Sequence, residues 1–161
     1  MNKGCCFKKI LFFFFLFLSV TAFAQNSSKK PIITEQYLEY LKQGYMEMCK
    51  EVNKQLPVDV DELTTLTNIL FSNWTLTCKY RINLDLKDLT LDECKEFMEE
   101  IRKPTLEHAK RVIMFRDGAV QSQIKEEIRV TGFVLKQSYF DENELYIGTN
   151  TYGYKDFFGS K

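Results

Sequence analysis

After the first 24 residues, the sequence contains three cysteines and one histidine, residue types that often act as nucleophiles, general bases or metal ligands. Cys49, Cys78 and Cys94 lie in apolar stripes, and His108 lies one position away from such a stripe. A metal site needs converging ligands, and a Cys–His pair needs a thiolate of low pKa. Nothing near these residues in the sequence indicates either, so we expect His108 to be a partly exposed surface residue.

The three cysteines allow two interpretations. They can be buried small apolar residues. Alternatively, two of them form one disulfide, for which three pairs are possible and one thiol is left over. The sequence leaves both interpretations open.

Acidic residues cluster at two places. Asp59, Asp61 and Glu62 lack the glycine and the spacing of a calcium loop, and we expect a solvated start to a strand. The run 141–144 is typical of a charged hairpin turn. The chain also lacks a glycine-rich phosphate loop and a serine nucleophile elbow. These patterns favour a protein that is not an enzyme and needs no cofactor or metal.

Aromatic residues near the C-terminus are the strongest binding candidates. Tyr152, Tyr154, Phe157 and Phe158 fall within seven residues. Closure of a core would use one or two of these rings. The others would then remain partly exposed, and aromatic residues are enriched in protein interfaces.

The stretch 56–84 has the pattern of a long β-hairpin. Apolar residues occupy every second position from Trp74 to Leu84, and this period puts them on one buried face of a strand. The preceding run 64–71 is rich in Thr, Leu and Ile, and Ser72 and Asn73 lie where a tight turn would fall.

Helices are predicted before and after this hairpin. Thr34 can cap a helix that runs to about Gln55, and Thr90 with Glu93 forms a capping box for a second helix. Pro104 suits the first turn of a further helix. A late pair of strands, 133–140 and 145–152, follows a less regular helical segment. The order helix, two strands, helices, two strands predicts an α+β two-layer sandwich, with about four antiparallel strands and helices on one face.

The N-terminus has the pattern of a signal peptide. Three lysines precede or flank an apolar run, and Ala22-Phe23-Ala24 resembles a signal-peptidase site. We therefore expect a signal peptide at 1–24, a flexible leader at 25–33 and a single domain at 34–161. Cleavage would leave 137 of the 161 residues, with 19 basic and 22 acidic side chains and a net charge of −3. This balance does not favour nucleic-acid binding or stable membrane insertion after cleavage.

Two motifs resemble those of small exported bacterial proteins of unknown function. Residues 56–66, LPVDVDELTTL, match the pattern L-P-x-x-V-D-E-x-T-x-L, and residues 138–148, SYFDENELYIG, match their late hairpin. The resemblance implies an exported single domain, and it implies no activity.

Together these observations predict a periplasmic or extracellular protein that binds another macromolecule without catalysis. An inhibitor, an immunity-type protein and an assembly accessory all fit. The alternative is a small-molecule or lipid-binding domain with an apolar pocket between sheet and helices.

Overall fold

The computed structural model describes residues 33–114 and 118–159. The predicted signal peptide (1–24) lies outside these residues, as does the predicted leader apart from Ile33. The described elements are, in order, α1 (Glu35–Asn53), β1 (Val58–Asp59), β2 (Thr64–Ser72), β3 (Thr75–Ile82), α2 (Leu91–Met114), α3 (Gly118–Thr131), β4 (Val134–Phe140), β5 (Tyr146–Tyr152) and α4 (Tyr154–Phe158).

Helices α1 and α2 begin where the sequence predicted. The Thr34 hydroxyl accepts the N–H of Tyr37 at 3.1 Å, which caps α1. At the start of α2, the Glu93 N–H donates to the Thr90 hydroxyl at 3.3 Å, and the Thr90 N–H donates to the Glu93 carboxylate at 2.8 Å. This capping box satisfies two backbone donors that a helix start leaves without partners. We expected a further helix to begin at Pro104, but α2 continues through this proline as one helix.

The five strands in the described part of the chain form one sheet in the order β1-β2-β3-β4-β5. The pairs β1–β2, β2–β3 and β4–β5 are antiparallel, whereas β3–β4 is parallel. The prediction of about four antiparallel strands was therefore wrong in both number and direction. The chain leaves β3, passes through α2 and α3 and returns at β4, and only such a long crossover allows a parallel neighbour.

The buried face of the sheet is built in rows across the strands. One row contains Phe71, Leu76, Leu135 and Tyr152, which are neighbours in the ladders of β2 to β5. All four are buried, together with residues from α1, α2 and α3 in the same cluster. The sheet and the helices therefore form the two layers that the sequence predicted.

The predicted alternation holds within β3 and fails at its end, at Leu84, whereas Trp74 at its start is half-buried and packs against the main core cluster. Leu76, Cys78 and Ile82 are buried, and Tyr80 is half-buried on the same face. Trp74 lies in the turn with Asn73, and both residues have positive φ angles, 55° and 48°. Two such residues form the hairpin turn that matches the twist of the strands. Leu84 follows β3 and is 44% exposed.

Two helices approach the sheet from opposite edges. Helix α1 packs on β2, whereas α2 packs on β5. At Gly148 of β5, an added Cβ would lie 2.6 Å from the Met98 side chain of α2, so only glycine allows this approach. The Asn150 amide also donates to the Met98 carbonyl at 3.1 Å. This arrangement leaves a groove over the middle of the sheet, between the two helices.

Candidate functional site

The groove between α1, α2 and the sheet has a volume of about 650 Å³. Its floor is the buried face of β2, β3 and β4, and its walls are the C-terminal half of α1 and the middle of α2. Most lining side chains are apolar, among them Met48, Val52, Val60, Leu66, Ile69, Ile82, Phe97 and Ile101.

The α2 wall follows from helical spacing. Phe97, Ile101, Pro104 and His108 line the groove at steps of four, three and four residues. Residues with these steps lie on one face of a helix. Phe97 and Ile101 belong to an apolar stripe along this helix. In the structure both are only partly buried, and part of this stripe faces the groove.

His108 is buried, and our expectation of a partly exposed surface residue was wrong. His108 completes the groove-facing row of α2. Burial, with a smaller contribution from Arg111, lowers the pKa of His108. The imidazole is therefore neutral at pH 7.

Cys78 lines the same groove as His108 but has no thiolate character. Burial raises the pKa of the Cys78 thiol to about 12, and it raises the pKa of the Cys49 thiol to about 11. Cysteine attacks as the thiolate, so these thiols are inert near neutral pH. Cys49, Cys78 and Cys94 are all free thiols in the structure.

The polar groups of the floor form a small network. Tyr80 and Tyr139 stack with ring centroids 5.2 Å apart, and the Tyr139 hydroxyl donates to the Gln137 side chain at 3.2 Å. Burial raises the pKa of both tyrosines, which keeps the hydroxyls protonated. The floor therefore offers a few hydrogen-bonding atoms within an apolar surface.

The mouth of the groove exposes two leucines. Leu63, between β1 and β2, is 49% exposed, and Leu84, after β3, is 44% exposed. Leu63 follows two acidic residues, and Leu84 is the last apolar position of the alternation that begins at Trp74. They make the groove continuous with the molecular surface instead of closing it into a cavity.

The four predicted aromatic binding residues divide into two pairs. Tyr152 and Phe157 are buried members of the main core cluster, whereas Tyr154 and Phe158 are half-buried. Tyr154 and Phe158 lie close together, with ring centroids 5.2 Å apart, and Lys125 of α3 lies 5.7 Å from the Phe158 ring. None of the four lines the groove.

The described residues bring no metal site together. In the ranges 33–114 and 118–159, no group of three or more His, Cys, Asp or Glu side chains is placed to hold a metal ion. Asp59 instead accepts the hydroxyl of Thr65 at 2.9 Å, across the β1–β2 pair. In the same part of the chain, no helix has the length and apolar character that a membrane span requires.

A search of solved structures found three bacterial proteins of similar fold, each with a sequence identity of about 10% to this chain. A Pseudomonas aeruginosa protein classed as secreted is 10% identical, with a TM-score of 0.51 over 78% of this chain and 99% of its own. The type II secretion pilotin EpsS of Vibrio vulnificus is 11% identical, with a TM-score of 0.48 over 74% and 93%. The pilotin AspS of Vibrio cholerae is 10% identical, with a TM-score of 0.42 over 76% and 94%.

Sequence comparisons add no relative. No protein-family model matches the chain, and no curated protein sequence matches it significantly. The structural likeness to the Pseudomonas aeruginosa protein therefore establishes the fold alone, and the site must be interpreted from its own geometry.

The sequence predicted an apolar pocket between sheet and helices only as the alternative hypothesis, and it did not indicate which residues would line such a pocket. Leu63 follows two acidic residues and lies outside any strand alternation, whereas Leu84 was predicted to be buried at the end of the alternation that begins at Trp74. The remaining lining residues have the same spacing as core residues and carry no separate signal.

Proposed function

We propose that this protein is exported and acts without catalysis, by holding an apolar segment of another protein in the groove. The observation that carries this proposal is the open, largely apolar groove of about 650 Å³, with Leu63 and Leu84 exposed at its mouth. Exposed apolar surface beside a preformed groove is typical of sites that take an apolar face of a partner.

The groove offers no thiolate nucleophile, because burial keeps the Cys78 thiol protonated at neutral pH. The signal-like N-terminus supports export, and the class of the Pseudomonas aeruginosa protein of similar fold agrees with it.

A photo-crosslinking experiment tests the proposal. The photoreactive residue p-benzoylphenylalanine would replace Leu63 at the mouth or, as a control, Leu70. Leu70 is 59% exposed on β2 and does not line the groove. After expression in the native cell envelope, we expect position 63 to give an adduct with an apolar peptide, and position 70 to give none.

A matched pair of variants makes the result specific. Leu84→Ser should reduce the adduct at position 63, because it removes apolar contact at the mouth. Leu145→Ser, at a leucine that is 53% exposed away from the groove, should leave the adduct unchanged. Equal adducts at positions 63 and 70 would contradict the proposal.

A small apolar molecule is the second candidate, because the groove volume lies within the range of ligand pockets, about 300–1,000 Å³. In the same experiment it would give an adduct of small mass at position 63, without a peptide.

Of the four aromatic residues near the C-terminus, Tyr154 and Phe158 remain proposed as a second contact with the partner. Tyr152 and Phe157 have too little exposed surface to contact a partner directly.

A further inference from the structure

The rim of the groove carries charge of one sign. Its lining includes the carboxylates of Asp61, Glu62 and Glu100, and it includes no lysine or arginine. The titratable base in the lining is His108, which is buried and neutral at pH 7. Across the residues that the structure describes, none of the three carboxylates takes part in a salt bridge.

The carboxylates stand on two different elements of the groove. Asp61 and Glu62 lie in the loop between β1 and β2, beside Leu63, whereas Glu100 lies on α2, next to Ile101. Glu62 and Glu100 are exposed. Each carboxylate therefore accompanies an apolar lining residue, so an occupant would meet apolar surface and negative charge together.

The edge of the sheet beside the groove offers little backbone for a further strand. Part of β2 is paired with β1, through Leu66 and Thr65. Further along, Asn53 of α1 occupies the edge at Ile69. Its amide accepts the Ile69 N–H at 3.0 Å and donates to the Ile69 carbonyl at 2.7 Å. An occupant must therefore bind through side chains, which favours a helix, because its backbone hydrogen bonds are internal.

Building on the proposed function, we propose that the groove binds an amphipathic α-helical segment whose apolar face is flanked by lysine or arginine. The apolar face would lie on Phe97, Ile101 and Leu63, and the basic side chains would reach Glu62 and Glu100. Paired charges at the rim of an interface select the partner and speed association. An anionic lipid or fatty acid would bring its headgroup to the same carboxylates and is disfavoured by repulsion.

Two model peptides test the charge preference without knowledge of the natural partner. Both are amphipathic helices of about 18 residues, or five turns. One is built from leucine and lysine, and the other from leucine and glutamate. We expect the protein without residues 1–24 to bind the lysine peptide at least about tenfold more tightly in fluorescence anisotropy, with the difference shrinking as salt is raised.

Charge reversal at the rim, with a control of equal net charge, separates the groove from general attraction. The test pair is Glu62→Lys with Glu100→Lys. The control pair is Glu47→Lys with Glu96→Lys, two exposed residues on α1 and α2 that do not line the groove. We expect the test pair to remove or reverse the preference and the control pair to keep it. Equal effects from the two pairs would overturn the inference.

The outcomes distinguish this inference from the proposed function. If both peptides bind equally and Leu63→Ser with Leu84→Ser weakens both, the groove binds apolar segments but the charge preference is wrong. If neither peptide responds to the two serine substitutions, the groove is not the site, and both proposals fall. Both leucines are exposed, so thermal melting should show these variants folded.

Discussion

Asp141 has no exposed surface, although the four turn residues that follow it are all exposed. Its carboxylate accepts the N–H groups of Asn143 and Leu145, each at 2.8 Å, and that of Leu86 at 3.4 Å. From the sequence we expected residues 141–144 to form a charged hairpin turn. The structure makes Asp141 the link between the β4–β5 turn and the segment that follows β3.

Replacing Asp141 by alanine should therefore be costly. The change leaves three backbone donors without their acceptor, and we expect a loss of about 2–4 kcal/mol in the free energy of unfolding. Glu142→Ala, at the exposed neighbour, is the control and should cost less than about 0.5 kcal/mol. Urea titration of both variants measures the difference. Similar costs would mean that the Asp141 carboxylate does not hold the turn.

The two adjacent phenylalanines of α4 should respond differently to truncation. Phe157 is 9% exposed in the main core cluster, so Phe157→Ala should cost about 3–5 kcal/mol. Phe158 is half-buried and lies beside Tyr154, so Phe158→Ala should cost clearly less, about 1–2 kcal/mol. Thermal melting of both variants decides whether α4 places one ring in the core and one near the surface.

At this scale, residue type alone predicted little. Four aromatic residues in seven positions indicated that some rings would be buried, but not which ones. The direction of each ring depends on α4 and its contact with α3, which no local pattern encodes. The prediction of an exposed His108 was wrong for the same reason. A shift of one position along a helix is enough to turn a side chain from solvent towards the groove.

At the scale of elements, a polar cluster joins α1 to α3. The Tyr37 hydroxyl donates to the Glu127 carboxylate, and the Gln123 amide donates to the same carboxylate at 2.9 Å. Glu127 is buried, and Tyr45 of α1 also lies within reach of its charge. Burial raises the pKa of Glu127, because it disfavours the charged form more than the two donors favour it.

The raised pKa of Glu127 gives the stability a pH dependence of known sign. Its contribution is fully present below the unfolded pKa, about 4.3, and is lost as pH rises through the higher folded pKa. We expect the stability of the wild type to fall relative to Glu127→Gln as pH rises through that window. The lowered pKa of His108 acts in the opposite direction, but it is present in both proteins and cancels in the difference.

Chemical denaturation of the two proteins at several pH values measures this difference. A constant difference across the window would show that Glu127 titrates normally. A difference of opposite slope would show that the Tyr37 and Gln123 hydrogen bonds outweigh burial.

Elements with strong periodicity or capping signals were predicted well. The start of α1, the capping box of α2 and the alternation in β3 all follow from local chemistry. β1 was missed because it has two residues, too few for any period. The passage of α2 through Pro104 was also missed, because tertiary contacts on both sides of the proline outweigh its local preference.

At the scale of the whole molecule, the sequence predicted two layers but not the direction of the central strand pair. Alternation fixes which face of a strand is buried and says nothing of the neighbour that the strand pairs with. The groove depends on the same information. It exists because α1 and α2 pack on different strands and leave the floor between them uncovered.

The parallel contact between β3 and β4 also sets an order of events during folding. Each hairpin can close through a short turn, whereas the seam between β3 and β4 must wait until α2 and α3 have spanned it. Leu76 and Leu135 are neighbours in the β3–β4 ladder. We expect their coupling free energy to appear only in the unfolding rate, because this contact forms after the transition state. Ile69 and Cys78 are neighbours within the first hairpin. Their coupling free energy should already appear in the folding rate, because the hairpin forms before the transition state.

Stopped-flow measurements on two double-mutant cycles, with alanine at each position, test this order. A seam coupling that already speeds folding would show that β3 and β4 meet in the transition state. In the expected case, an interior ladder of the finished sheet is the last one that the chain makes.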